Sequence, residues 1–194
     1  LVKNPWLNLG IIMAILSGLL YAAWNYLLIS YQKNRILTLF NPESDPLGSG
    51  YHILQSKIAI GSGGLTGKGI THGSQSRLDF VPEQSTDFIF SVLAEEMGFL
   101  GFILLLSIYT LIIYRCFNLS LRCEDNFSRL LGASLTFVLF TYIFVNMAMV
   151  SGLLPVVGVP LPLISYGGSS LMTLMASFGI IMSIHKHKSP RYLQ

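Results

Sequence analysis

The sequence predicts an all-α polytopic membrane protein of about four spanning helices, with one long outer loop that carries an interfacial helix. Three observations lead there. Hydrophobic residues make up 52% of the 194 residues and charged ones only 11%, against about 25% charged in soluble domains. Mean hydropathy is +0.61. Long uncharged runs reach the roughly 20 residues that a spanning helix requires. The net charge of +3 forms no basic stripe, which argues against nucleic acid as a partner. The chain opens at Leu1 without a Met, and Leu1–Trp6 lacks the pattern of a signal peptide. A piece of a longer protein, with further membrane segments upstream, is therefore expected.

The first span, 9–29, carries no charge. The second, 88–114, is interrupted in its first third by Glu95 and Glu96. From Leu130 to Ile184 there is no charged residue, and Pro155, Pro160, Pro162 and the pair Gly167–Gly168 divide this run into spans at 130–150 and 168–184. Arg115, Arg122 and Arg129 crowd the loop between the second and third spans, and Lys186, Lys188 and Arg191 crowd the tail. Basic residues beside spans face the cytoplasm, so the C-terminus is expected there and loop 30–86 outside. That loop holds five basic residues, but long loops weigh little in the charge rule. Cys116 and Cys123 are seven residues apart on the cytoplasmic side and suit neither a metal site nor a structural disulfide.

Long loops without secondary structure are usually functional or disordered. In "YHILQSKIAI" (51–60) an apolar face alternates with Gln55, Ser56 and Lys57, as in a helix lying at a membrane surface. The glycine-rich "GSGGLTGKGITHG" (61–73) follows as a tight turn. It fails the P-loop pattern, because Ser62 stands where the first glycine belongs and Gly69 follows Lys68. It fails GxGxxG at Thr66. Beside the plain-turn reading stands a second: backbone N–H groups, with Lys57 and Lys68, could hold a lipid-linked diphosphate.

Asp87 stands at the start of the second span, after Ser85 and Thr86. It reads either as a helix N-cap or as a functional carboxylate at the membrane lip. Ionisable residues inside a span are costly and face a cavity or a partner. For Glu95 and Glu96 the better reading is a salt bridge to a basic residue on another helix, expected from the missing upstream part. "LLPVVGVPLPLISYGGSS" (153–170) places three prolines and a polar patch at membrane depth. Irregular backbone is tolerated there only when buried in protein or lining a wet cavity. Ser165 and Tyr166 are the candidate lining, with a packing hairpin as the compatible alternative.

The series Asn146-x5-Gly152-Leu-x-Pro155-x2-Gly158-Val-x3-Leu-Ile-Ser-Tyr-Gly-Gly-Ser169 resembles the signature of the SEDS family (shape, elongation, division and sporulation). "QSKIAIGSGGLTGKG" (55–69), "VPE" (81–83), "TDFIF" (86–90) and "EEMG" (95–98) are similar to its RodA branch. The resemblance covers essentially the whole chain. It implies that residues 1–194 are the C-terminal part of one integral-membrane domain, a bundle of about ten helices in the bacterial cytoplasmic (inner) membrane. Such proteins polymerise lipid II, an undecaprenyl diphosphate-linked disaccharide peptide, into glycan strands during cell elongation and shape maintenance. They work with a class B penicillin-binding protein and membrane lipid.

The family's essential aspartate matches Asp87, which the resemblance makes general base in an inverting glycosyl transfer or ligand of a divalent cation (Mg2+ or Mn2+). No other cofactor is evident. Lys57, Lys68, Arg77, Glu83, Ser165 and Tyr166 are the substrate-binding candidates; Glu95, Glu96, Gly167 and Gly168 are assigned to cavity and structure. The fragment alone is expected to be inactive. Two rivals stand beside polymerisation: a lipid II flippase, which would centre on the midplane acids, and a scaffold that docks the penicillin-binding protein.

Overall fold

A computed structural model describes residues 5–45, 48–73 and 85–186, and among these residues every regular element is helical. The elements are α1 (Pro5–Ala22, continued by a π-helical turn at Ala23–Leu27), α2 (Ser30–Phe40), α3 (Ser49–Gly63), α4 (Ile89–Leu121), α5 (Asn126–Val150) and α6 (Gly168–Lys186). Four segments are long and apolar enough to cross a membrane: Leu9–Leu27, Ile89–Leu121, Asn126–Val150 and Gly168–Lys186. The second runs past the expected 114 and takes in Arg115. The third begins earlier than 130, because Asp125 caps it by accepting a hydrogen bond from the Ser128 N–H at 3.0 Å. Cys116 and Cys123 are buried free thiols.

The core lies where α3, α4 and α5 meet, with α6 packed on α4 and α5. Ile53 and Ala59 of α3, Leu105 and Tyr109 of α4, and Ile143, Met149 and Val150 of α5 form one buried cluster with Val156 and Leu161 of the α5–α6 connection. Among the described residues nothing buries the spanning part of α1.

The described part of loop 30–86 differs from its sequence reading in two ways. Residues 30–40, read as plain loop, form α2. Only Thr38 of this helix is buried, so its apolar pattern is faint. α3 runs from Ser49 to Gly63 rather than 51–60, and it is not a helix with one greasy and one wet face. Ser56, expected on the polar face, is fully buried and donates to the carbonyls of Ile53 (2.9 Å) and Val150 (2.8 Å), while Ile58 is half exposed. The reason is tertiary: α3 is clamped between α4 and the end of α5, so protein rather than water or lipid chooses its inner face.

The glycine-rich turn is a plug for a broken helix. Gly98 interrupts α4 with φ +64°, ψ −159°. The Lys68 and Gly69 N–H groups donate to the Glu95 and Glu96 carbonyls at 3.1 and 3.0 Å. On the far side of the break, Phe99 and Leu100 N–H donate to the Gly64 and Leu65 carbonyls at 2.9 and 3.1 Å. Main-chain groups that α4 loses at the break are thus re-paired, as buried backbone requires. A Cβ on Gly67 would strike the Glu96 carbonyl oxygen, and one on Gly98 would strike the Gly67 nitrogen. Glycine at both positions is what allows this approach.

Candidate active site

Residues Ser85–Phe88 form a turn that delivers the chain into α4. The cap residue of α4 is Phe88, which offers no side-chain hydrogen bond, so Asp87 does not occupy the cap position considered for it. Phe88 is buried, its ring stacked on His52 of α3 with centroids 5.8 Å apart. That anchor holds Asp87, half-buried, immediately outside the core.

The turn is fastened through its main chain. Three successive carbonyls each receive a donor from the C-terminal part of the chain. Ser85 accepts from the Tyr166 N–H at 2.8 Å, Thr86 from the Ser165 hydroxyl, and Asp87 from the Asn146 side-chain amide at 2.8 Å. The next carbonyl, of Phe88, takes the Ser91 hydroxyl at 2.7 Å. Each such bond contributes about 0.5–1.5 kcal/mol, and a buried group left unpaired costs about 1–3 kcal/mol. With its carbonyls fixed in sequence, the turn has little freedom to swing.

The partner of this turn is the proline-rich connection between α5 and α6, and side chains from three helices hold its irregular backbone. Arg35 of α2 donates to the Val156 carbonyl at 2.7 Å. Asn146 of α5 donates a second time, to the Val159 carbonyl at 2.6 Å. Tyr109 of α4 donates to the Pro162 carbonyl at 2.5 Å. Ser165 accepts from the Leu161 N–H at 2.7 Å while donating to Thr86. Gly158, with φ +79°, lies against the carboxylate: a Cβ there would stand 3.3 Å from Asp87 Oδ2. A groove of about 480 Å³ opens between α5, α6 and the connection, lined in part by Tyr142, Pro160, Ser165, Ser169 and Thr173.

The remaining candidates fall in different places. Lys68 Nζ is 2.7 Å from Glu95 Oε1, and Glu95 is fully buried, with the Ser62 hydroxyl 3.5 Å away. This corrects the expectation that the cation for Glu95 comes from another helix upstream: it comes from the glycine-rich turn of this chain. Glu96 accepts from the Thr71 N–H at 3.0 Å. Lys57 lies over Gly152, just beyond the end of α5, where a Cβ would strike its side chain. Tyr166 exposes its ring and contributes its backbone N–H. Gly168 opens α6, and Gly167 accepts from Ser170 and Leu171. Arg77 and Glu83 lie outside the described residues. Among the described residues, no group of three His, Cys, Asp or Glu forms a ready metal cage.

Sequence reasoning gave no role to Arg35, Tyr109 or Asn146. Asn146 carried a signal: it is the lone Asn in the uncharged run 130–150, within the quoted motif. Arg35 and Tyr109 carried none, because their partners are carbonyls 121 and 53 residues away.

Comparison with known proteins agrees with this architecture. Residues 2–190 match the FtsW/RodA/SpoVE family of cell cycle proteins. The chain is 55% identical over 183 residues to the peptidoglycan glycosyltransferase MrdB of Escherichia coli K12, covering 94% of this chain and 50% of that one. It is 44% identical over 155 residues to the peptidoglycan glycosyltransferase RodA of Treponema pallidum, covering 80% and 36%. Among solved structures, it resembles a peptidoglycan synthase complex that coordinates polymerization and crosslinking. There the TM-score is 0.71 at 34% identity, covering 98% of this chain and 51% of that one. The rod shape determining protein RodA of Thermus thermophilus matches with TM-score 0.51 at 28% identity, covering 84% and 56%. The chain spans about half the length of the curated relatives it matches. It belongs to the SEDS family, the FtsW/RodA/SpoVE group of cell cycle proteins.

Proposed function

We propose that this chain is the C-terminal half of a peptidoglycan glycosyltransferase that polymerises lipid II at the outer face of the bacterial cytoplasmic membrane. The single observation that carries the proposal is the fastening of Asp87. Three consecutive carbonyls are tied down so that one carboxylate is presented beside Gly158 at the start of a spanning helix. A reaction on a lipid-linked sugar needs its catalytic group there, because the sugar lies in water and the polyprenyl tail in lipid.

In the proposed reaction a sugar hydroxyl of one lipid II molecule attacks the anomeric carbon of another chain. The C–O bond to the polyprenyl diphosphate breaks with inversion, and Asp87 takes the proton from the attacking hydroxyl. The departing diphosphate is stabilised by positive charge, for which Lys57 and Arg77 are the candidates. One carboxylate together with diphosphate oxygens also suits Mg2+. In that variant Asp87 would hold Mg2+ or Mn2+, and the ion would supply positive charge to the leaving group. The groove beside Ser165 and the apolar outer surfaces of α4 and α5 suit a lipid tail and the membrane anchor of a class B penicillin-binding protein. The pairing of Glu95 with Lys68 supports polymerisation over a flippase, since a transport relay requires an acid that changes partners.

The test is glycan-strand formation from labelled lipid II by the complete protein with its penicillin-binding partner, comparing wild type with Asp87→Asn. General-base loss lowers rates by about 10²–10⁴-fold, and that drop is expected with insertion and partner co-purification unchanged. Near-normal product would refute the role of Asp87. Titrating Mg2+ and Mn2+ separates base from ligand.

A further inference from the structure

We propose that Asn146 is a positioning residue for Asp87, a role that rests on the polymerase reading above. Asn146 is fully buried near the end of α5, in a stretch that is otherwise mostly apolar. A buried amide is tolerated when it is hydrogen-bonded, and this one uses both N–H groups on main-chain carbonyls from two separate segments. One belongs to Asp87 itself, at 2.8 Å, and the other to Val159, at 2.6 Å. Val159 follows Gly158, whose bare Cα faces the Asp87 carboxylate. A single side chain therefore sets both the main chain that carries the carboxylate and the wall the carboxylate lies against.

The other polar atom of the same side chain is left over. Asn146 Oδ1 is buried and has no hydrogen-bond partner among the described residues. An unsatisfied buried acceptor works against folding and calls for an explanation. Two donors aimed at two fixed carbonyls require an amide, and the orphaned oxygen comes with it. The other ties on the turn, from Ser165 and from the Tyr166 N–H, hold residues 86 and 85. Among the hydrogen bonds that fasten the turn, the one from Asn146 reaches the residue that bears the carboxylate.

The experiment uses the complete protein with its penicillin-binding partner and labelled lipid II, and measures initial rate against lipid II concentration per folded complex. The variants are Asn146→Ala and Asn146→Leu; leucine keeps the branched outline, with somewhat more bulk, and removes both donors. Misplacing a catalytic group by about 1 Å costs on the order of 10²-fold. The expected result is a kcat lower by roughly 10–100-fold, with KM within about threefold of wild type. A kcat per folded complex within about threefold of wild type overturns the proposal, even if the thermal midpoint falls, because that pattern marks a stabilising residue only. A raised KM with unchanged kcat overturns it too, pointing to substrate contact. Failure of both variants to form the folded complex assigns Asn146 to folding and likewise overturns it. Asp87→Asn, run in parallel, separates the two levels. If that variant polymerises normally, the reading of Asp87 fails whatever Asn146 does. If it is dead while the Asn146 variants are normal, only the positioning role fails.

Discussion

Asp87 and Glu95 are both carboxylates near the N-terminal end of α4, one in the turn before it and one inside it, yet the structure ties them down in different ways. Glu95 is fully buried, and its charge is used inside the protein, against Lys68 at 2.7 Å. Asp87 is half-buried, and it is the carbonyls of its turn that Tyr166, Ser165 and Asn146 take up. At Glu95 the side chain holds the backbone, locking the glycine-rich turn onto the break in α4. At Asp87 the backbone holds the side chain. An acid in or beside a membrane segment is therefore not informative by itself: at Glu95 the carboxylate is tied, and at Asp87 the main chain that carries it.

The widest contrast is expected between the two amide substitutions. On the proposed reaction, Asp87→Asn removes the carboxylate's charge and is expected to lower polymerisation by about 10²–10⁴-fold. Glu95→Gln keeps an acceptor for Lys68, and polymerisation should stay within an order of magnitude. An equally large loss at Glu95 would erase the distinction and revive a relay of acids.

Next in size is the ion pair. Removing one partner of a buried pair costs about 3–5 kcal/mol. The Lys68 side chain is 30% exposed, so Lys68→Met should fall near the lower limit, about 3 kcal/mol, read as a drop in thermal midpoint in detergent. Adding Glu95→Gln removes the stranded charge and should restore most of the loss. If the double variant is stable but no longer polymerises, Lys68 has a second role toward the diphosphate.

Smaller effects belong to the wall of the Asp87 site. Gly158→Ala forces a side chain into φ +79° and puts a methyl 3.3 Å from Asp87 Oδ2. The backbone term is about 1–2 kcal/mol, and kcat should fall several-fold with KM nearly unchanged. Smallest is Ser165→Ala, at about 1 kcal/mol, because the Tyr166 N–H and Asn146 still hold the turn on either side. A loss at Ser165 as large as that of Asp87→Asn would make the hydroxyl a catalytic group rather than a latch.

The number and approximate limits of the spans were legible in the sequence, because the absence of charge over some 20 residues is a local property. So was the oddity of 153–170, since three prolines deny that backbone its own hydrogen bonds whatever surrounds it. The motifs around Asp87 marked the residue but left its role as cap or catalyst open. Folding settled what depends on distant partners. Lys68 meets Glu95 across 27 residues, Asn146 meets Asp87 across 59, and Ser165 meets Thr86 across 79. α2 and the true inner face of α3 were hidden for the same reason: Ser56 is buried because the Val150 carbonyl waits 94 residues later. Hydropathy along the chain records which segments leave water. It does not record which carbonyl a buried donor will find, because that is fixed only when helices far apart in sequence are packed side by side.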